Sequence, residues 1–263
     1  SPTGDKSAIA KKAIAGLQKL KPAPLAARGR ADYITPANYE EHLHLLQDCD
    51  LVIEAIAERI DWKTDLYHLV APHLGAHTLF ATNTSGLSFN TLAAACPDSV
   101  RPRFCGVHFF NPPRYMHLVE IIPCVTSDAD VLDKLERFLV TTLGKGVVRA
   151  KDTPNFVANR IGVFSILATM ANAEKFGLRF DVVDDLTGSR VGRPKSATFR
   201  TADVVGLDTL VHVVNTMRDT LPNDPWHSLF AAPDWLSALM ARGALGQKTR
   251  AGIYKKDGKT MLV

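Results

Sequence analysis

A histidine and a glutamate stand twelve residues apart, each inside a short apolar run: Phe104-Cys105-Gly106-Val107-His108-Phe109-Phe110 and Leu118-Val119-Glu120-Ile121-Ile122. A carboxylate set between Val119 and Ile121 is costly to bury without a partner. On neighbouring strands the two could meet as a general base and its orienter. The imidazole would take a proton while the carboxylate fixes its tautomer and stabilises the imidazolium. A structural buried ion pair is the plainer alternative. A second polar group, Asn83-Thr84-Ser85-Gly86, follows the apolar run Phe80-Ala81-Thr82. It offers an amide, hydroxyls and backbone N–H donors to an anion or a ribose, or it simply caps a helix. A third position, Asn159 followed by Arg160, falls one turn into a helical pattern and is by default an ordinary helix residue. Metal chemistry has little support: His42/His44 and His73/His77 lack a third ligand, and Pro72 and Gly75 break the second pair's helix. The chain contains no Gly-x-Ser-x-Gly elbow, no phosphate-binding P-loop and no Gly-x-Gly-x-x-Gly run.

The elements that must hold these residues follow from periodicity. Residues 5–20 read as an Ala-rich helix with Ile9, Ile14, Leu17 and Leu20 roughly on one face, stopped by Pro22 and Pro24. A second helix is expected over 36–46, with Thr35 as cap and Pro36 at its first position. Short apolar runs at 50–56, 78–82, 104–110, 117–122 and 146–150 then alternate with helical patterns at 60–71, 87–95 and 129–143. Strands apolar on both faces, alternating with helices, indicate an α/β layer around a largely parallel sheet. After Lys151 the strand signals stop. Asp152-Thr153-Pro154 offers a cap and a proline at a helix start, and helices fit 155–176, 181–188, 206–221 and 233–242. The class therefore changes from α/β to all-α near residue 151. In an open parallel sheet ligands sit at the carboxyl ends of the strands, where residues 83–86 and His108 fall.

With 263 residues, 46% hydrophobic and 22% charged, the chain has the composition of a globular protein with room for a sizeable core. No run approaches the ~20 uncharged apolar residues of a membrane span. The four isolated cysteines suit a reducing compartment rather than a disulfide framework. The net charge is +4, yet residues 1–30 alone hold seven basic side chains against Asp5, a local +6. This is either a patch for a small polyanion or a solvated helix face. Nucleic acid is not expected, because the basic segment lacks interleaved aromatics.

Taken together, these segments resemble the L-3-hydroxyacyl-CoA dehydrogenase family. The strings that carry the resemblance are Asp50-Leu51-Val52-Ile53-Glu54-Ala55-Ile56, Asn83-Thr84-Ser85, His108-Phe109-Phe110-Asn111-Pro112, Leu118-Val119-Glu120, Asp152-Thr153-Pro154, Asn159-Arg160, Val205-Gly206-Leu207-Asp208 and Gly246-Gln247-Lys248-Thr249. They span almost the whole chain in the family's order. Residues 193–203 look like the form found in bacterial multifunctional fatty-acid oxidation proteins, which fuse the dehydrogenase to an enoyl-CoA hydratase module.

The resemblance implies a Rossmann-type NAD-binding domain over 1–151 and a helical C-terminal domain over 152–263. It implies NAD-linked oxidation of a 3-hydroxyacyl-CoA to a 3-ketoacyl-CoA in fatty-acid β-oxidation. His108 would be the base and Glu120 its partner, with Ser85 and Asn159 bonding the reacting oxygen and its neighbours. Glu58, Lys63, Ser85, Asn111 and Lys248 become candidate cofactor contacts, and Lys19 and Lys21 candidate contacts of the CoA phosphates. It further implies a homodimer or a fused hydratase module as partner, and a cytoplasmic location. The strand, Gly-rich turn and helix that open the family's nucleotide domain are expected to precede residue 1. Three departures stand out: Arg250 and Asn155 where the family usually has Gly, and Arg59 in place of an Asn. Two rival readings stay open: a catalytically silent CoA-binding or assembly module, and a dehydrogenase of a non-CoA 3-hydroxy acid.

Overall fold

The structure is a computed structural model that describes residues 4–257 and 260–262. The chain divides after Thr153 into two compact units, each with its own core.

The first unit opens with α1 (Ala8–Leu17), whose side chains all remain at least partly exposed. The helix expected over 36–46 does not form; only 3-10 turns appear, at Arg28–Tyr33 and Leu43–Asp48. The reason is Asn38. Its carbonyl oxygen accepts the backbone N–H groups of Glu40 and Glu41 at 3.0 and 2.9 Å, offering the backbone a turn in place of a helix. The sheet follows as β1 (Leu51–Glu54), β2 (Leu79–Thr82), β3 (Phe104–Phe109), β4 (Leu118–Pro123) and β5 (Gly146–Arg149), adjacent in that order. The helices between them are α2 (Ile60–Val70), α3 (Phe89–Ala95) and α4 (Ala129–Thr141). Pairing is parallel except between β3 and β4. Those two are joined by a short loop with no crossover helix, so they can only run antiparallel.

Alternation along the strands sorts the two faces. Leu79, Ala81, Cys105, Val107, Val119 and Ile121 meet Leu132, Leu135 and Leu139 of α4, which recur at helical spacing. On the other face Tyr67 stands edge-on to Phe80 and Phe104, with ring centroids 5.2 and 5.5 Å away. Gly106 lies on this same face beneath α3. A Cβ there would fall 2.3 Å from the Phe89 ring, so only glycine lets the helix approach.

The second unit is built from α5 (Ala158–Lys175), α6 (Phe180–Thr187), α7 (Phe199–Val205), α8 (Leu207–Thr220) and α9 (Asp234–Ala241) around Leu167, Met170, Phe199, Leu210, Val214 and Leu236. Periodicity did not anticipate α7, which begins five residues after Pro194. Asp184 explains its start, accepting the N–H groups of Thr198, Phe199 and Arg200 at 2.7–3.0 Å and so capping its orphan donors. The unit is not purely helical either. It ends in the hairpin β6 (Lys255–Asp257) and β7 (Thr260–Leu262), too short for alternation to reveal. Asn155 and Arg250, the two residues standing where glycine was expected, both have φ of 59°. The left-handed backbone itself accounts for the glycine preference there.

Candidate active site

The antiparallel register places His108 directly opposite Glu120. Both point to the face shared with Gly106, and His108 Nδ1 lies 2.8 Å from Glu120 Oε2. The side chains are 5% and 1% exposed, so solvent screens the pair little. An Nδ1–H donated to the carboxylate assigns proton exchange to Nε2.

The turn after β2 is held from both sides. Asn83 Oδ1 accepts the N–H of Phe109 at 3.0 Å, and the Asn83 N–H donates to the Glu54 carbonyl at 2.8 Å. This side chain extends the sheet's hydrogen bonding past its last backbone pair and ties the turn to the residue next to His108. Ser85 is exposed, and its N–H donates to Glu58 Oε1 at 2.7 Å. The Thr84 hydroxyl donates to the other Glu58 oxygen. Glu58, from the loop after β1, thus shapes the serine turn. Asn111 is exposed in the loop after β3. These loops all leave the carboxyl ends of the parallel strands, where an open α/β sheet binds its ligands.

Lys63 is placed differently from its sequence reading as a cofactor contact. It is fully buried in α2, and its ammonium donates to both Glu54 oxygens at 2.7 and 2.8 Å. Glu54 also accepts from the Thr82 hydroxyl at 2.6 Å, the Tyr67 hydroxyl at 3.2 Å and the Ile56 N–H at 2.5 Å. Burial, and then the Glu54 charge, push the Tyr67 hydroxyl well above its ordinary range. Lys63 leaves no exposed atom for a ligand. It neutralises the carboxylate that knots β1, β2 and α2 together beneath the Glu58 loop.

In the second unit Asn159 is half-buried in the first turn of α5, and its neighbour Arg160 pairs with Asp224. Lys248 is half-exposed and bonded to both Asp208 oxygens at 2.6 Å, which holds that carboxyl below its usual range. Lys19 and Lys21 are exposed, and among the described residues neither forms an ion pair, whereas Lys6 and Lys11 pair with Glu40 and Asp5. Of the departures, Arg59 pairs with Asp61 and lies over the Trp62 ring at 4.6 Å.

Sequence reasoning missed Glu54, read Asn83 only as an amide offered to a ligand, and read Asp152 as part of a cap for the helix that follows it, whereas α5 begins at Ala158 with no side-chain cap. Asp152 accepts from Ser88 Oγ, the N–H groups of Phe89 and Asn90, and Asn90 Nδ2, all at 2.8–2.9 Å. It caps α3, the helix entered from the serine turn. A buried acid ending an apolar strand was the available signal for Glu54; for Asn83 and Asp152 the residue types were legible, but their partners Phe109 and α3 were not.

The first unit matches the model of the 3-hydroxyacyl-CoA dehydrogenase NAD binding domain over residues 4–153, and the second matches that family's C-terminal domain over 156–256. The chain belongs to the 3-hydroxyacyl-CoA dehydrogenase family. A Bacillus subtilis protein named as a probable 3-hydroxyacyl-CoA dehydrogenase is 42% identical over 97% of this chain, which spans 32% of that relative's length. A Deinococcus radiodurans protein of the same name is 41% identical over 96% of this chain and 72% of its own. A fatty acid oxidation complex trifunctional enzyme of Rickettsia felis is 35% identical over 95% of this chain and 35% of its own. Among solved structures, the (S)-3-hydroxybutyryl-CoA dehydrogenase of Ralstonia eutropha superposes with a TM-score of 0.74 at 26% identity, covering 95% of this chain and 85% of its own. Among the described residues no helix is long and apolar enough to cross a membrane, and no cluster of three metal-ligating side chains occurs.

Proposed function

We propose that this chain carries out, within its full-length protein, the NAD-dependent oxidation of an L-3-hydroxyacyl-CoA to the 3-ketoacyl-CoA in fatty-acid β-oxidation. The observation that carries the reading is the buried His108–Glu120 pair at the end of β3. His108 Nε2 takes the proton of the 3-hydroxyl as the C3 hydride departs. Glu120 holds Nδ1–H, orients the ring and stabilises the imidazolium that forms. Ser85 and Asn159 hydrogen-bond the reacting oxygen and its neighbours.

The donor set suits the nicotinamide end of a dinucleotide: Glu58, Ser85 and Asn111 come from loops at successive strand ends, and Lys248 adds a cation. When bound, NAD supplies the hydride acceptor. Lys63 supports this end of the site through Glu54 rather than by touching the cofactor. Lys19 and Lys21, without carboxylate partners among the described residues, meet the phosphates of CoA. The helical unit adds a second copy as partner: α5 and α6 border an apolar groove of about 540 Å³ lined by Ile161, Phe164, Phe176, Leu178 and Leu186. The fused hydratase module is in keeping with the trifunctional relative. A cytoplasmic location accords with the bacterial relatives and with four free cysteines, three of them buried with thiols pushed up to about 12 by that burial.

The test is NADH oxidation with acetoacetyl-CoA by the full-length protein. His108→Gln, which retains a donor for Glu120, should lower kcat by about two to four orders of magnitude while NADH binding, read by fluorescence, changes little. Undiminished turnover would remove His108 from the mechanism. A wild type that binds acetoacetyl-CoA without oxidising NADH would make the chain a silent binding module.

A further inference from the structure

The cationic segment that follows α1 is fastened to the loop that follows β3. Pro22 and Pro24 cannot continue a helix and bring no N–H of their own, so neighbouring carbonyls need donors from elsewhere. Arg114 supplies them: its Nη1 donates to the carbonyls of Ala23 and Leu25 at 2.8 and 2.7 Å. The Tyr115 hydroxyl donates to the same Ala23 carbonyl at 2.8 Å, and the guanidinium lies 5.4 Å from the Tyr115 ring centroid. The fastening rests on a firm base. Tyr115 and Met116 both donate to the Pro112 carbonyl at 3.0 Å, closing the loop into a turn. Beneath it the nearly buried Lys145 ammonium donates to the carbonyls of Pro113 and Met116. Asn111 opens this loop, three residues beyond His108. Lys21 stands two residues from Ala23, and Lys19 two before that.

We propose that Arg114 and Tyr115 are positioning residues that hold the Lys19–Lys21 segment at a set place beside the catalytic strand end, so that the phosphate-bearing carrier of the substrate is recognised in register with the reacting carbon. This rests on the reading above, in which Lys19 and Lys21 meet the carrier's phosphates. The clamp acts on binding of the carrier and not on chemistry at C3. Its loss therefore weakens only substrates that possess the phosphates.

The full-length protein is assayed for NADH oxidation with acetoacetyl-CoA and with the phosphate-free acetoacetyl thioester of N-acetylcysteamine. The double variant Arg114→Met/Tyr115→Phe should raise KM for the CoA thioester about tenfold, the scale of losing charge-assisted hydrogen bonds, with kcat within about twofold. Its kcat/KM for the short thioester should match wild type. Lys19→Ala/Lys21→Ala should show the same pattern. If the lysine variant leaves KM for the CoA thioester unchanged, the phosphate reading fails and the clamp's role falls with it. If the lysine variant behaves as expected and the clamp variant is indistinguishable from wild type, the clamp alone is overturned. Equal losses on both thioesters also overturn it, because they place Arg114 and Tyr115 in support of β3.

Discussion

Lys63 and Glu54 show how far a site residue's role depends on what surrounds it. The Lys63 side chain has no exposure and Glu54 is 1% exposed, with its carboxylate bonded to β2, α2 and the loop after β1. Removing one partner of such a pair leaves an uncompensated charge in the interior, which costs about 3–5 kcal/mol. Lys63→Met should therefore lower unfolding stability by that amount in urea titration at pH 7. Adding Glu54→Gln should recover a good part of it. A loss below about 1 kcal/mol in the single variant would mean that water reaches the carboxylate. His108 and Glu120 are a contrasting case. Their pairing was legible because strand side chains alternate with period two, so two apolar runs joined by a short link can bring residues twelve apart into register. Nothing comparable announced Lys63. Its helix presents Lys63, Tyr67 and Val70 on one buried stripe, and a lysine there reads as an outward residue until its acid is known.

Backbone conformation explains what composition left open at the level of elements. Arg250 ends the 3-10 turn Gln247–Thr249 with φ of 59°, a region that costs a side-chain-bearing residue about 1 kcal/mol. Its neighbours are tightly placed: a Cβ on Gly252 would fall 2.1 Å from Asp203 Oδ1, the carboxylate that accepts the N–H groups of Ile253 and Tyr254 at 2.8 Å. Arg250→Gly should thus raise stability by up to about 1 kcal/mol, seen as a higher thermal midpoint with the fold's circular dichroism unchanged. A lower midpoint would show that the arginine side chain contributes more than its backbone strain removes. The 36–46 segment carries the opposite lesson. Its helix signals were genuine, but the Asn38 side chain captured the N–H groups that helix formation required.

At the scale of the whole molecule, each unit buries its own core, and the helical one leaves an apolar face uncovered. Ile161, Phe176 and Leu186 are between 52% and 64% exposed along α5 and α6 and the turn between them, beside the groove assigned to a second copy. Sedimentation of the full-length protein at micromolar concentration should give twice the protomer mass. Leu186→Asp should return it to one protomer with the fold's circular dichroism unchanged, since half of that side chain lies outside the protomer's own core. A monomeric wild type would reject the assignment. The alternation of strands and helices, the change of class near residue 151, the basic N-terminal segment and the His108–Glu120 register could all be read along the chain, because each rests on local periodicity, local charge or a short spacing. The cap that Asp152 places on α3 more than sixty residues earlier, the grip of Glu58 on the serine turn and the fastening of residues 23–25 by Arg114 could not. They join residues 26 to 91 positions apart whose partners are chosen by close packing, and packing is a property of the folded molecule alone.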